Sequence, residues 1–131
     1  MKRLLLLAAL ALVAATAFSQ GMPRDSVILG ERRVDFHADH DVIRVGAYEG
    51  WFRDIGFFVE RNNIEIFNVE ITYGDGQRQR IETRLIFDEG TRSRLIHLEG
   101  ERRRIRSISF TFKTVGNWFE GRARVVVFGV K

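Results

Sequence analysis

Apolar and polar side chains alternate along most of this chain with a period of two residues. The clearest stretch covers residues 107–112, where Ile108, Phe110 and Phe112 alternate with two serines and a threonine. In an extended strand, successive side chains point to opposite faces, so this pattern places one face in a core and the other in water. No stretch after residue 20 repeats its apolar residues with a helical period. We therefore predict an all-β protein.

Turn signals divide the alternating pattern into short segments. The strongest is Gly74-Asp75-Gly76, and Asn62-Asn63 is another because asparagine tolerates a positive φ. Asp39-His40-Asp41 is also predicted to be a turn. The segments number about eight and follow one another at roughly 8–14 residues, which is typical of an antiparallel sandwich. We predict one domain over residues 20–131, an antiparallel β-sandwich of the jelly-roll kind.

The same alternation predicts the core and one irregularity. Ile64 and Ile66 are out of phase with Val69, Ile71 and Tyr73, so a β-bulge or a switch between sheets is expected near Phe67. The side chains predicted to fill the core are Ile55, Phe57, Val59, Val69, Ile71, Leu85, Ile108, Phe110, Phe112, Val125 and Val127.

The first nineteen residues have the pattern of a secretory signal peptide. Met1-Lys2-Arg3 is a cationic start, Leu4 to Ala15 carries no polar side-chain atom, and Ala15-Thr16-Ala17 is a small-x-small cleavage site. Cleavage after Ala17 or after Ser19 is expected, with the mature chain in the periplasm or outside the cell. The chain has no cysteine, which excludes disulfides and a lipidated junction cysteine. No later stretch has the length and apolarity of a membrane-spanning helix.

Charge is unevenly distributed along the chain. The whole sequence has a net charge of +4, and without Lys2 and Arg3 it has 19 basic against 17 acidic side chains, a net charge of +2. Residues 20–76 carry 6 basic and 11 acidic side chains, whereas residues 77–131 carry 13 and 6. Either the two halves are interleaved in the sandwich and pair across strands, or the basic half presents a partner surface. We favour interleaving, and a net charge of +2 does not favour nucleic acid as a partner.

Arginine dominates the basic residues, with 17 arginines and 2 lysines in residues 20–131. Many arginines are two residues apart, which puts each group on one face of a regular strand. If the strands are neighbours, the arginines could hold phosphate or carboxylate groups in bidentate fashion. The alternative is a solvated face whose arginines pair with Glu65, Glu70 and Glu82. The candidate binding residues are Arg92, Arg94, Arg104, Arg106, Arg122 and Arg124, and Arg78, Arg80, Arg84 and Arg102 share the spacing.

Two tryptophans lie in segments that read as loops. Trp51 follows Gly50, and Trp118 lies between Gly116 and Gly121. Exposed aromatic rings at the end of a sandwich can stack on sugars or dock a protein partner, although such residues often close the end of the core instead. Trp51 and Trp118 are therefore candidate binding residues.

One short segment could bind a metal. His37, Asp39 and His40 supply imidazole and carboxylate groups that suit zinc or a similar ion, and His97 could add a third nitrogen. In an extended strand, however, His37 and His40 would point to opposite faces. The alternative is a polar segment whose aspartates bond their own backbone. No catalytic constellation and no cofactor site is evident in the sequence. The second functional hypothesis is a metal-dependent hydrolase that uses the His37/His40 region.

Three segments give the chain a family resemblance. They are residues 41–46 with 50–55, residues 69–76, and residues 93–100 with Arg103, Ile105 and Ile108. Together they resemble a group of small exported bacterial proteins of unknown function, the YaaI-like group. The resemblance implies a β protein of the bacterial envelope and supplies no catalytic residues. We expect a non-enzymatic binding module for an anionic envelope polymer, a glycan or a protein partner.

Overall fold

The computed structural model describes residues 22–81, 85–87, 94–117, 119 and 121–131, so the predicted signal peptide lies outside the described residues. It confirms the all-β prediction, with a single 3₁₀ turn at Ala47–Glu49 in the described part. None of the helices found there is long and apolar enough to cross a membrane. The strands are β1 Ser26–Val34, β2 Asp39–Arg44, β3 Asp54–Glu60, β4 Ile64–Tyr73, β5 Arg78–Ile81, β6 Leu85–Phe87, β7 Ile96–His97, β8 Ile105–Thr114 and β9 Ala123–Val130.

The strands form two antiparallel sheets. The first sheet has the order β1-β9-β3-β7, and the second has β2-β8-β4-β5, with β6 also on β4. β1 pairs with β9, β2 with β8, β3 with β7 and β4 with β5, so early strands pair with late ones in a nested series. Such nesting is that of an antiparallel ribbon wound into two sheets, and it confirms the jelly-roll sandwich. β5 and β6 pair with successive parts of β4 and act as one interrupted edge strand.

The predicted irregularity in β4 is a β-bulge. Phe67 pairs with Thr111 of β8 and Glu70 pairs with Ser109, so β4 has one residue more than its partner over this stretch. Asn68 takes a φ of 56° there. Because the extra residue changes the phase, side chains on both sides of the bulge reach the core, as the out-of-phase isoleucines indicated.

The core lies between the two sheets and confirms the predicted set. All the predicted core residues whose side chains are described are buried in one cluster; the side chain of Leu85 lies outside the described part. Phe110 lies at its centre, with ring centroids 5.6 Å from Phe57 and 4.9 Å from Phe112. Burying one such side chain contributes roughly 1.5–3 kcal/mol, so this cluster dominates the stability of a chain without disulfides.

A second, smaller cluster covers the outer face of the first sheet. Phe58, Val126, Phe128 and Val130 are buried there, and Met22 and Leu95 pack against them. β9 is therefore apolar on both faces, which strict alternation did not predict. Met22 and Leu95 pack on this outer face, and strands covered on both faces lose their polar side.

The two oppositely charged halves of the chain are interleaved. Eight of the nine ion pairs among the described residues join an acid in residues 20–76 to a basic residue in 77–131; Arg32 with Asp41 is the exception. Examples are Arg80 with Glu70 at 3.1 Å and Arg103 with Asp75 at 3.1 Å. The charge asymmetry is thus largely resolved inside the fold, as expected.

One turn prediction was wrong, and the turn predicted at Asn62-Asn63 is present with its positive φ at a different residue. Asp39-His40-Asp41 is not a turn but the start of β2, where main-chain pairing with β8 overrides the turn propensity. β2 is an edge strand, and Asp39 and Asp41 each accept a hydrogen bond from the following main-chain N–H, at 2.8 and 2.7 Å. In the turn after β3, the positive φ of 72° belongs to Arg61, while Asn62 is buried and acts through its side chain.

Candidate functional site

A two-stranded ribbon at one end of the sandwich carries the candidate site. Phe52 and Arg103 form an antiparallel bridge with main-chain hydrogen bonds of 2.9 Å from Phe52 N and 2.8 Å from Arg103 N. Phe52 is fully buried, and residues on either side of it in an extended segment point the opposite way. The outward positions are exposed and carry Trp51, Arg53, Arg102 and Arg104. Residues 51–53 and 102–104 are called the Trp51 ribbon below.

The Trp51 ribbon is fixed to the first sheet by main-chain bonds and by close packing. Arg53 N donates to Val130 O at 2.8 Å, and Leu98 N donates to Arg53 O at 2.9 Å. Phe52 packs over Gly129 of β9, where a Cβ atom would lie 2.6 Å from the ring. Glycine at this position therefore makes room for the ring that anchors the ribbon.

Arg103 is held in place by its neighbours beneath the ribbon. Its guanidinium carbon lies 3.8 Å from the centroid of the Tyr73 ring. It donates to Asp75 Oδ2 at 3.1 Å, to Gln77 Oε1 at 2.9 Å and to Glu99 O at 3.2 Å. Its side chain is only 18% exposed. Arg103 thus neutralises Asp75 and secures the turn between β4 and β5, as a positioning residue.

Tyr73 extends this network into the interior. Its hydroxyl donates to Gln79 Oε1 and accepts a hydrogen bond from Glu99 N at 3.2 Å. Burial raises the pKa of Tyr73 because a phenolate would be poorly solvated there, and the bond from Glu99 N and the charge of Arg103 offset only part of that effect. Tyr73 therefore stays protonated at neutral pH and keeps its donor function.

Arg104 and Arg106 differ from Arg103 in their partners. The guanidinium carbon of Arg104 lies 5.2 Å from the centroid of the Trp51 ring, within cation–π range. Arg106 donates to Gly74 O at 2.9 Å. A shift of register between β4 and β8 makes Arg106 the extra residue of a second bulge, and bulges redirect side chains. Neither arginine pairs with an acidic side chain of the described part of the chain.

Two clefts adjoin the ribbon, and Trp51 lines both. The first cleft has a volume of about 500 Å³ and is lined by Trp51, Arg104, Arg106, the Arg103–Asp75 pair, Val45, Ala47, Gly74 and Ile105. The second cleft has a volume of about 930 Å³ and is lined by Trp51, Arg53, His97, Glu101 and Arg102. Trp51 is 51% exposed. The site is concave, basic and aromatic, which suits an anionic ligand with a ring to stack on.

The predicted binding residues fall into separate groups. Trp51, Arg104 and Arg106 meet at the first cleft, whereas Arg122 lies 3.8 Å from Asp35 at the opposite end. Arg124 pairs with Glu31 and Glu60 on the outer face of the first sheet. The described arginines thus do not share one face. Arg94 is exposed just before β7, Arg78 and Arg80 pair with Glu70 on the second sheet, and Arg84, Arg92 and Trp118 lie outside the described residues.

The predicted metal ligands are not gathered in the described structure. His37 is exposed in the loop before β2, and His40 Nδ1 lies 3.3 Å from Thr111 Oγ1 on the second sheet. His97 is on the first sheet and contacts Asp54 at 3.0 Å. Among the described residues no group of three or more histidine, cysteine, aspartate or glutamate side chains could hold a metal ion. The hydrolase hypothesis stays a prediction, and the histidines that it would use as metal ligands lie apart in the described structure.

Sequence reasoning missed Arg53 as part of the site, and it noted Arg102 only for its spacing with Arg104 and Arg106. Both belong to the site only because Phe52 pairs with Arg103, a contact between residues 51 positions apart. No local pattern reports such a pairing. The alternation of residues 51–53, with a buried phenylalanine between two exposed residues, is the one signal that could have indicated it.

Comparison with known proteins identifies the family. A family model described as Domain of unknown function (DUF2541) matches residues 4–129, and the chain belongs to this family. No curated protein and no solved structure matches the chain. The expectation of a domain of unknown function is confirmed at this level, and the family description names no ligand, partner or reaction.

Proposed function

We propose that this DUF2541 protein is an exported, non-enzymatic binding module of the bacterial envelope that recognises an acidic glycan at the first cleft. The supporting observation is the arrangement of Trp51, Arg104 and Arg106. A half-exposed indole lies beside one guanidinium, and a second guanidinium is held nearby by a main-chain oxygen. Neither charge is compensated by an acid of the described chain, so a ligand anion can pair with both.

The chemistry of these groups favours a sugar acid over a simple ion. An indole face packs against the C–H groups of a sugar ring, and a guanidinium fork binds a carboxylate through two parallel hydrogen bonds. Exposed ion pairs contribute only roughly 0–1 kcal/mol each, so one sugar acid is expected to bind weakly. Useful affinity would then come from a polymer that presents many acidic units.

The export of the protein and its resemblance to the YaaI-like group are also part of the proposal. The cationic start, apolar run and small-x-small site of residues 1–19 support export to the periplasm or the medium. Mass measurement of the protein recovered from the periplasm would test this, since cleavage after Ala17 or after Ser19 gives distinct masses. An uncleaved chain retained in the cytoplasm would contradict export. The resemblance to the YaaI-like group stays a prediction alongside it.

Calorimetric titration with polygalacturonate, and with a neutral polysaccharide of similar length, tests the proposed ligand class. We expect binding to polygalacturonate alone, weakening steeply with salt because exposed charges are screened beyond about 8 Å at physiological ionic strength. Replacing Arg104 and Arg106 by glutamine should abolish most of the binding with little change in melting temperature. Arg104→Lys should also weaken it, since lysine keeps the charge and loses the planar fork.

The control is Arg33→Gln, which removes an exposed arginine at the opposite end of the sandwich. This variant should bind like the parent. Equal losses from Arg33→Gln and from the Arg104 and Arg106 substitutions would mean that net charge alone drives binding. No binding to the acidic polymer at low salt would reject the proposed function.

A further inference from the structure

We infer that the second cleft is a second subsite of the same ligand, so that the protein binds an acidic glycan chain along the Trp51 ribbon instead of one sugar acid. This inference rests on the proposed function. Its basis is that Trp51 lines both clefts and that each cleft has its own pair of arginines: Arg104 with Arg106, and Arg53 with Arg102.

The register of the ribbon places the second pair. Phe52 lies opposite Arg103 in a single antiparallel bridge, and Arg53 and Arg102 follow and precede these two residues in the chain. Both arginines line the second cleft, and two like charges in one cleft repel each other. Arg53 donates to the main-chain oxygen of Lys131 at 3.1 Å, and Arg102 has no ion pair within the described part of the chain. A ligand carboxylate between them would relieve this repulsion.

The other charged groups of the second cleft do not cancel the arginines. The Asp54 carboxylate contacts His97 Nδ1 at 3.0 Å. Glu101 is exposed at the rim and is the one lining carboxylate that would oppose an anion. With two arginines and one glutamate, the second cleft is basic. The first cleft is also basic, because Asp75 is paired with Arg103 and the charges of Arg104 and Arg106 remain.

The spacing of the two subsites points to a repeating ligand. Arg102 and Arg104 are two residues apart in the chain, so their Cα atoms are separated by at most about 7 Å. That distance is on the scale of one sugar unit. A chain that carries a carboxylate on each unit could therefore place successive acids at the two arginine pairs while one ring packs on Trp51.

Binding of galacturonic acid as monomer, dimer and tetramer tests this inference. We expect the tetramer to bind the parent protein at least roughly tenfold more tightly than the monomer, because the second contact is intramolecular. Arg102→Gln and Arg53→Gln should each remove most of that gain and weaken tetramer binding much more than monomer binding. Arg104→Gln should weaken monomer and tetramer alike. Arg33→Gln, remote from both clefts, should change neither.

The outcomes separate the two proposals. A tetramer gain that survives Arg102→Gln and Arg53→Gln would reflect only the larger number of binding registers on a longer chain, and would overturn the second subsite while the first cleft stands. Equal weakening of monomer and tetramer by Arg102→Gln would also overturn it. If no oligomer binds, the proposed function fails and this inference fails with it. Arg102→Lys guards against a folding artefact, since it keeps the charge and should retain part of the gain.

Discussion

The two ends of the sandwich close the same core in different ways. The described residues of one end are 35–38, 61–63, 115–117, 119, 121 and 122, and this end is called the Asn62 end. There the buried Asn62 amide donates to Asn117 O at 2.7 Å and to Gly121 O at 2.8 Å. Its oxygen accepts a bond from Asn63 N at 2.8 Å. At the end formed by residues 45–53, 74–77 and 98–104, called the Trp51 end, the polar network lies beneath a basic surface with two clefts.

The contrast shows which end is available for a ligand. At the Asn62 end, one buried side chain bonds two loop carbonyls and one loop N–H, so its polar capacity is used within the fold. At the Trp51 end, Arg103 and Tyr73 stabilise the fold through their hydrogen bonds. The arginines that point outward there are Arg53, Arg102, Arg104 and Arg106. Substitutions should therefore affect stability at the first end and binding at the second.

Asn62→Ala should give the largest effect, a loss of about 3 kcal/mol in the free energy of unfolding, because it removes three hydrogen bonds of a buried side chain, each contributing roughly 0.5–1.5 kcal/mol. Urea denaturation would measure the loss. Polygalacturonate affinity of the folded variant should match the parent. A variant as stable as the parent would mean that water replaces the amide and that the Asn62 end is less tightly closed than its hydrogen bonds indicate.

Gly129→Ala should combine both effects at the Trp51 end. A Cβ atom 2.6 Å from the Phe52 ring must displace it, and overpacking of this kind costs about 2 kcal/mol. Because Phe52 anchors the ribbon, ligand affinity should fall as well. Thermal unfolding and titration on one sample would test the coupling. Lost stability with full affinity would show that the ribbon does not depend on Phe52.

Trp51→Ala should leave stability within error and weaken binding by roughly 0.5–1.5 kcal/mol, the usual contribution of one aromatic contact. The matched control is Phe119→Ala at the Asn62 end, where the ring is 86% exposed. That variant should bind normally. If both variants weaken binding equally, exposed aromatic rings act nonspecifically, and the assignment of Trp51 would have to be withdrawn.

Tyr73→Phe should give the smallest effect, visible in the pH dependence of stability. Because the pKa of Tyr73 is raised, its stabilising contribution is complete below the unfolded value of about 10 and is lost as pH rises towards the folded value. The parent should therefore lose stability in alkali more steeply than Tyr73→Phe, although the variant starts lower at neutral pH. Urea unfolding from neutral to alkaline pH would measure both slopes, with Tyr48→Phe as the control for losing an exposed phenol.

Much of the fold was predictable because it depends on short-range pattern. Alternation predicted the core, and the phase change around Phe67 predicted the bulge at Asn68. Both follow from the geometry of one strand. Predictions failed where residues distant in sequence decide the outcome. Residues 39–41, predicted to be a turn, begin strand β2 because they pair with β8, and β9 is buried on both faces because Met22 and Leu95 pack on its outer face.

The sequence by itself determined the all-β class, the sandwich core and the turn at residues 74–76, since each depends on residue type and spacing along one strand or turn. Tertiary structure alone decided which arginines belong to the candidate binding site. Arg124 and Arg104 look alike in sequence, yet one pairs with Glu31 and Glu60 while the other lies beside Trp51. The physical reason is that the environment of a charge depends on strands distant in sequence. The bridge between Phe52 and Arg103 is such a contact, and it creates the binding surface.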